Sequence, residues 1–398
     1  MLGKYNVYFD NFSEVLELMP HQYNWPLPLN HDRYGNIVDG NFYDFSQEVI
    51  KPNSIYVIGR QQSHANAMLI RDIVENDKAK IVYSNPSEGS ETIINQARHA
   101  GFEPYLLDGR MMAVSGGYMG PEYNHMHYDH FLPKVFDYST NANECLRTSE
   151  LYSKLDKPYK FLFLNGRNRP HRKWLLHYFK DRGLLDQCLW TNLDSSVGYN
   201  KDLPYIVDGV DKIIDPIPVK SLPSQYEIAR YNANRDKEFS SKFIKNDLFD
   251  HKGQVEWGDI FIKAEPYIDT YFSVVTETVF TFPHSFRTEK IWKPIAFGQP
   301  WICAANQGFY QDLQRMGFKT FGNIIDESFD QEPNALTRIT KLAEVVVDLC
   351  SSQSKLENFL LASQDICLYN QMLLKDLRFS VRSDFTWKFT NLLSKWTT

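Results

Sequence analysis

Apolar and polar positions in the first part of the chain group into short segments of two kinds. The apolar runs 54–59 and 80–84 predict buried strands. Helices are predicted over 63–76 and 88–100, and residues 102–107 predict a further strand. Strands that alternate with helices are typical of a parallel sheet covered by helices. We therefore predict a small doubly wound sheet in this region.

A second series of elements follows the polar stretch 138–158. The run 160–165 predicts a strand, a basic loop comes after it, and a helix is predicted over 173–180. Residues 187–192 and 212–215 predict later strands. The boundary between two domains is predicted at the end of the polar stretch, because few contacts cross such linkers.

The pattern is clearest in the segment 271–302. The β-branched and aromatic run 271–276 predicts a buried strand. Thr288 is a favourable N-cap for the helix that follows, and Gly298 can end that helix. Residues 300–302 then predict another strand. Strand, loop, helix and strand in this order form the unit of a parallel α/β sheet.

The remaining segments are mainly helical in pattern. Residues 336–377 have helical periodicity, whereas 317–325 are strand-like. Residues 225–259 are charged and weakly patterned, and we interpret them as helices or as an insertion over a cleft. The segment 384–396 is predicted to cross back to the first domain.

Length, charge and cysteine content narrow the class of protein. The 398 residues fit two domains with sizeable cores, which we place at 1–157 and 158–398. A formal net charge of −6 provides no global basic field that would recruit nucleic acid. The five cysteines are scattered without a C-x-x-C pair, which indicates a reduced compartment. We see no apolar leader and no long apolar run, so we expect no membrane span and a cytoplasmic location.

Two basic features suggest an anion site. Lys290 is in the first turn of its predicted helix, where the helix dipole favours anions, so a bound phosphate would explain the lysine. The loop 166–172 opens with glycine, carries three arginines and leads into a helix, which also favours an anion. Without a bound anion, Lys290 would be an ordinary surface lysine, and the loop 166–172 would be a solvated basic turn.

The spacing around Lys290 resembles the donor-binding segment of the α1,3-fucosyltransferase family. The matching positions are Glu277, Thr288, Glu289, Lys290, Ala296, Gly298 and Pro300. The resemblance implies a GT-B fold, in which two Rossmann-like domains with parallel sheets face each other. It also implies transfer of a sugar from a nucleotide-sugar with inversion. In the family, the residue corresponding to Glu289 holds the ribose, and the one corresponding to Lys290 holds the diphosphate.

The family also has an arginine after the first strand of the donor domain, which contacts the diphosphate. Arg167, Arg169 and Arg172 are the candidates here, and the sequence does not select one of them. A transferase of this kind needs a base to take the proton of the acceptor hydroxyl. Glu88 and Glu91 fall at the junction of a predicted strand and the helix after it, within residues 84–91 that are expected at the cleft, and we assign Glu88 as the catalytic base.

The segment His125-x-His127-x-Asp129-His130 offers two other roles. Imidazole and carboxylate groups suit several divalent metals, but only three of these side chains share a face of a strand. We favour a non-metal role, in which a histidine could replace Glu88 as the base. No Asp-x-Asp pair occurs in the sequence, so we expect neither a metal nor another cofactor besides the nucleotide-sugar co-substrate.

Together with the missing Asp-x-Asp pair, the resemblance implies a metal-independent glycosyltransferase whose acceptor is a glycan, a small molecule or modified DNA. Phage-type DNA glycosyltransferases that act on hydroxymethylated bases share the GT-B architecture and are the first alternative. A catalytically inactive nucleotide-binding or carbohydrate-binding protein is the second.

Overall fold

The computed structural model describes residues 6–9, 50, 52–59, 66–136, 139–166, 169–193, 217–226 and 261–396. The predicted strand 212–215 and nearly all of the segment 225–259 lie outside these residues.

The chain is a mixed α/β protein with two parallel sheets, which is compatible with two Rossmann-like domains. Its described residues divide by contact into unit 1, residues 6–133 and 379–396, and unit 2, residues 134–226 and 261–378. Residues 134–157, which the sequence assigned to the first domain, belong to unit 2.

Unit 1 contains a sheet of five parallel strands in the order β1-β2-β3-β4-β5. The strands are β1 (Asn6–Phe9), β2 (Ser54–Ile58), β3 (Lys80–Asn85), β4 (Met111–Ser115) and β5 (His125–His127). The helices between them are α1 (Ala67–Glu75), α2 (Ser90–Ala100) and α3 (Glu103–Leu107), and α4 (Phe131–Lys134) follows β5.

Two predictions for this region are wrong. The segment 102–107 is helical because Glu103 and Pro104 occupy the first turn, where an acidic side chain and a proline both favour a helix. The strand that joins the sheet is β4 instead. The described strands follow the order of the sequence, without the reversal of strand order that is expected of a doubly wound sheet.

A distant segment covers one face of this sheet. It belongs to the long helix α13 (Gln364–Trp396), whose residues from Phe379 onwards group with unit 1. Phe385, Phe389 and Leu393 recur every four residues and form one buried cluster with strand residues. The strand members of the cluster are Ile55, Val57, Val82, Met112 and Val114.

Unit 2 contains four parallel strands in the order β7-β6-β8-β9. The strands are β6 (Tyr159–Phe163), β7 (Leu189–Trp190), β8 (Thr270–Thr276) and β9 (Trp301–Ala304). After β6, the chain adds β7 on one side of β6, and it later adds β8 and then β9 on the other side. The strand order therefore reverses between β6 and β8, and ligands of α/β proteins bind outside the carboxyl ends of strands at such a point.

The helices of unit 2 confirm several local signals and correct others. They are α5 (Ser139–Cys145), α6 (Thr148–Ser153), α7 (Pro170–Asp181), α8 (Ala264–Ile268), α9 (Glu289–Phe297), α10 (Phe309–Arg315), α11 (Ala335–Leu349) and α12 (Gln353–Ala362). Thr288 caps α9 and Gly298 ends it in the left-handed conformation, as predicted. The predicted linker 138–158 instead contains α5 and α6, and 317–325 forms turns and not a strand. Among the described helices, none has the length and apolar character needed to cross a bilayer.

Lys157 is a buried cation that joins two helix ends in unit 2. Its Nζ donates to the carbonyl oxygen of Leu151 in α6, at 2.8 Å, and to that of Ile268 in α8, at 2.7 Å. Cations near helix C-termini interact favourably with the carbonyl groups there. Burial nevertheless lowers the pKa of Lys157 to about 7, and the charge of Lys154 adds to this effect.

The lowered pKa of Lys157 predicts a specific pH dependence of stability. Above pH 7 the native state binds fewer protons than the unfolded state, so the free energy of unfolding should rise with pH. We expect this lysine to contribute a rise of about 1 kcal/mol between pH 6 and pH 8. Urea unfolding of wild type and Lys157→Met at both pH values measures it. An equal rise in the two proteins would contradict the assignment, because all other titrating groups are shared.

Candidate functional site

The site at the reversal of unit 2 is organised by Glu277, which directly follows β8 and is 0 % exposed. One carboxylate oxygen accepts the Thr288 N–H at 3.0 Å. The other accepts the Thr288 hydroxyl at 2.7 Å and the Thr278 N–H at 3.1 Å. Burial raises the pKa of Glu277, and the charge of Lys290 opposes that rise. The buried carboxylate thus ties the carboxyl end of β8 to the residue that begins α9.

The first turn of α9 contains an ion pair. The Nζ of Lys290 is 2.6 Å from Oε1 of Glu289 and donates to the Thr288 hydroxyl at 3.1 Å. Burial alone would raise the pKa of Glu289, but Lys290 and Lys293 together lower it. The carboxylate of Glu289 therefore offsets the lysine charge that the helix dipole disfavours. A bound anion is not required to explain why Lys290 occupies this position.

The start of α7 meets the same edge of the sheet. His171 donates from Nε2 to the carbonyl oxygen of Glu277 at 2.9 Å, and its ring stacks on Phe280. Arg172 is buried and donates to the carbonyl oxygen of Thr276 at 3.0 Å. These contacts hold the amino ends of α7 and α9 next to one residue, Glu277.

The predicted phosphate-binding arginines have different environments. Arg172 connects α7 to the end of β8 through its guanidinium group. Arg169 is the N-cap residue of α7 and is half-buried. Arg167 lies outside the described residues. A direct contact of any of the three with phosphate stays a prediction.

Asn165 and His171 each have one buried polar atom at this edge without a hydrogen-bond partner among the described residues. Asn165 follows β6 and is 2 % exposed; its Oδ1 accepts the Thr276 hydroxyl at 3.1 Å, whereas its Nδ2 has no such partner. The Nδ1 atom of His171 is the second. Burial and the charges of Arg172 and Arg169 lower the pKa of His171 far below its usual value, so the ring is neutral and this nitrogen is an acceptor.

The arrangement has the chemistry of an anion site with attached polar groups. Two helices present the N–H groups of their first turns at the same edge, and their dipoles add positive potential. Arg169 and Lys290, at the starts of these helices, supply charge there. An unpaired buried donor is costly unless a ligand or water satisfies it, so Asn165 indicates hydrogen bonding at this edge.

In unit 1 the predicted catalytic residues also lie at carboxyl ends of strands. Glu88 is half-buried in the loop after β3, and its carbonyl oxygen accepts the Gly116 N–H at 2.9 Å. The carbonyl oxygen of Gly116 in turn accepts from Nε2 of His127 at 3.1 Å. The structure therefore brings Glu88 and the histidine alternative to the same edge of the sheet. Glu91 lies beyond them, in the first turn of α2.

The 125–130 segment lacks the arrangement expected of a metal centre. Both ring nitrogens of His125 contact the main chain: Nδ1 donates to the Tyr123 carbonyl oxygen at 3.1 Å, and Nε2 accepts the Met119 N–H at 3.2 Å. Nε2 of His127 is 3.6 Å from Oδ2 of Asp129. Among the described residues, no group of three metal-ligating side chains has the required geometry. Independence of metal stays a prediction.

Sequence reasoning singled out neither Asn165 nor His171 as a site residue. A signal for Asn165 was present, because it follows the carboxyl end of a clear strand. His171 belongs to the basic loop that drew attention through its arginines. Its contact with Glu277 connects positions that are 106 residues apart, which no local pattern reveals.

No protein-family model, no curated protein and no solved structure matches this chain. The resemblance to α1,3-fucosyltransferases therefore depends on the residues from Glu277 to Pro300 alone.

The contacts of Glu277 predict an energetic coupling with Thr288. Thr288→Val removes the hydroxyl that caps α9 and donates to Glu277, and we expect it to lower the free energy of unfolding by about 1–2 kcal/mol. Glu277→Gln should also be destabilising, because an amide nitrogen replaces an oxygen that accepts hydrogen bonds. Urea unfolding of both single variants and the double variant should give a coupling of about 1 kcal/mol. Thr288→Ser, which keeps the hydroxyl, is the control. Strict additivity would show that the two side chains act independently.

Proposed function

We propose that the chain is a metal-independent, inverting glycosyltransferase with a GT-B fold that uses a nucleotide-sugar donor. The donor binds in unit 2 at the reversal of strand order. The observation that supports this most directly is the meeting of two helix amino ends at Glu277, with the unpaired Nδ2 of Asn165 beside Thr276. A nucleoside diphosphate supplies both the negative charge and the polar atoms that such an edge would bind.

In the proposed reaction, the acceptor hydroxyl oxygen forms a bond to the anomeric carbon of the donor sugar. The nucleoside diphosphate leaves with the bonding electrons, and Glu88 takes the hydroxyl proton. Lys290 and the α7 and α9 amino ends stabilise the charge that develops on the leaving diphosphate. Glu289 orients Lys290 through their ion pair and accepts a hydrogen bond from the ribose. Glu277 positions α9, and its own contact with the donor stays a prediction.

Removal of the Lys290 ammonium group should weaken donor binding specifically. One charge-assisted hydrogen bond contributes about 1.5–3 kcal/mol, so Lys290→Ala should bind the preferred nucleoside diphosphate roughly 10- to 150-fold more weakly. Calorimetric titration with ADP, GDP, UDP, CDP and dTDP identifies the preferred base and measures the loss. Lys293→Ala, one turn further along α9, is the matched control and should lose much less. Melting curves are needed as well, because Lys290→Ala leaves the buried Glu289 without its partner.

The affinity for inorganic pyrophosphate distinguishes the predicted role of Lys290, which binds the diphosphate, from that of Glu289, which binds the ribose. Glu289→Gln should weaken nucleoside diphosphates through the ribose and affect pyrophosphate little. Unchanged nucleotide affinity in a folded Lys290→Ala protein would show that this helix start does not hold the diphosphate, and the family resemblance would lose its functional meaning.

Donor turnover should not depend on a divalent metal. Transfer to water, measured as release of the nucleoside diphosphate from its sugar, is expected to continue in EDTA. Activity that disappears in chelator and returns with Mn²⁺ or Mg²⁺ would contradict this part of the proposal and would direct attention to His127 and Asp129.

A further inference from the structure

We propose that a groove in unit 1 is a saccharide-binding site. The groove has a volume of about 980 Å³ and runs between β5, with its flanking loops, and the part of α13 that belongs to this unit. This volume is at the upper end of the range of ligand pockets. Its lining includes Tyr118, His127 and Asp129 from the sheet side and Asp384, Trp387 and Lys388 from the helix.

Two aromatic rings in the groove are unusually open to solvent. Trp387 is 65 % exposed and Tyr118 is 43 % exposed. A flat ring gains dispersion energy from the C–H face of a pyranose, and tryptophan and tyrosine also offer a polar group at the ring edge. These two side chains therefore provide stacking surfaces that suit a sugar.

The Tyr118 ring is held in place before any ligand binds. It makes an edge contact with His125, with 4.9 Å between the ring centroids. His125 is itself fixed by the main chain of Met119 and Tyr123. A surface that is already ordered binds with a smaller loss of conformational entropy.

The polar lining fits sugar hydroxyl groups. The buried carboxylate of Asp129 lies 3.6 Å from Nε2 of His127, and Asp384 pairs with Lys388 at 2.6 Å. Carboxylates accept from hydroxyl groups, and an ammonium group donates to them. Two carboxylates and one lysine give the groove no excess of positive charge, which disfavours a phosphodiester backbone. The observations therefore favour an uncharged saccharide over DNA.

We assign the saccharide in this groove as the acceptor of the transfer reaction, and only this assignment rests on the proposed function. Saccharide binding itself needs neither the donor nor unit 2. A failed binding test would thus leave the nucleotide-sugar proposal standing, and failure of the Lys290 test would leave this one standing.

Direct binding of lactose, cellobiose and maltose to the full chain tests the inference. We expect at least one of these disaccharides to show saturation-transfer NMR signals and calorimetric binding in the absence of a nucleotide. Trp387→Ala should weaken that binding about tenfold, because it removes a stacking surface worth roughly 1.4 kcal/mol. Phe379→Ala is the matched control: Phe379 is 62 % exposed on the same helix and in the same unit, and it does not line the groove.

Three results would overturn the proposal. The first is the absence of binding by all three disaccharides at millimolar concentration. The second is an equal loss of binding in Trp387→Ala and Phe379→Ala. The third is preferential binding of an oligonucleotide that contains hydroxymethylcytosine, with a loss in Trp387→Ala, which would make the groove a nucleic-acid site. Neither side chain is buried, so we expect both variants to melt as wild type does. Melting curves of the two variants check that a loss of binding is not caused by unfolding.

Discussion

Burial of the Glu277 carboxylate is the constraint on which the architecture of unit 2 depends. A carboxylate removed from water is costly unless its oxygens accept hydrogen bonds. Here the Thr288 hydroxyl and two main-chain N–H groups supply them, and the carbonyl oxygen of the same residue accepts from His171. One residue therefore fixes the end of β8, the start of α9 and the start of α7. Charged groups of the predicted donor site are ordered around a side chain that is itself fully buried.

Local rules in the sequence were sufficient for much of this arrangement. The apolar run that became β8, the N-cap Thr288 and the left-handed Gly298 all follow from residue type and spacing. Local rules failed where two signals competed: residues 102–107 are apolar enough for a strand, but Glu103 and Pro104 favour the helix. They also failed for Lys290, whose charge looked unmatched only because its side-chain contact with Glu289 is not visible in a pattern.

Strand order could not be predicted, because it depends on pairing between distant segments. Alternating strands and helices are equally compatible with a sequential order and with a reversed one. Unit 1 adopts the first and unit 2 the second, so only unit 2 has a reversal among the described strands. The same local pattern thus produces a reversal of strand order at the adjacent strands β6 and β8 in one unit and a sequential series of strands in the other. The contact between His171 and Glu277 depends on that strand order, so it could not be predicted from the sequence either.

The cover that α13 provides for the sheet of unit 1 has a consequence for biosynthesis. Phe385, Phe389 and Leu393 complete a core whose other members are Tyr128 and residues of the strands β2, β3 and β4. These aromatic and aliphatic residues are translated roughly 250 residues after β5, which takes on the order of tens of seconds on a ribosome. During that interval the face formed by Ile55, Val57 and Val82 has no native cover from this helix. An apolar face of this kind stays open until the helix is synthesised, and exposed apolar surface of nascent chains is the general reason that chaperones are needed.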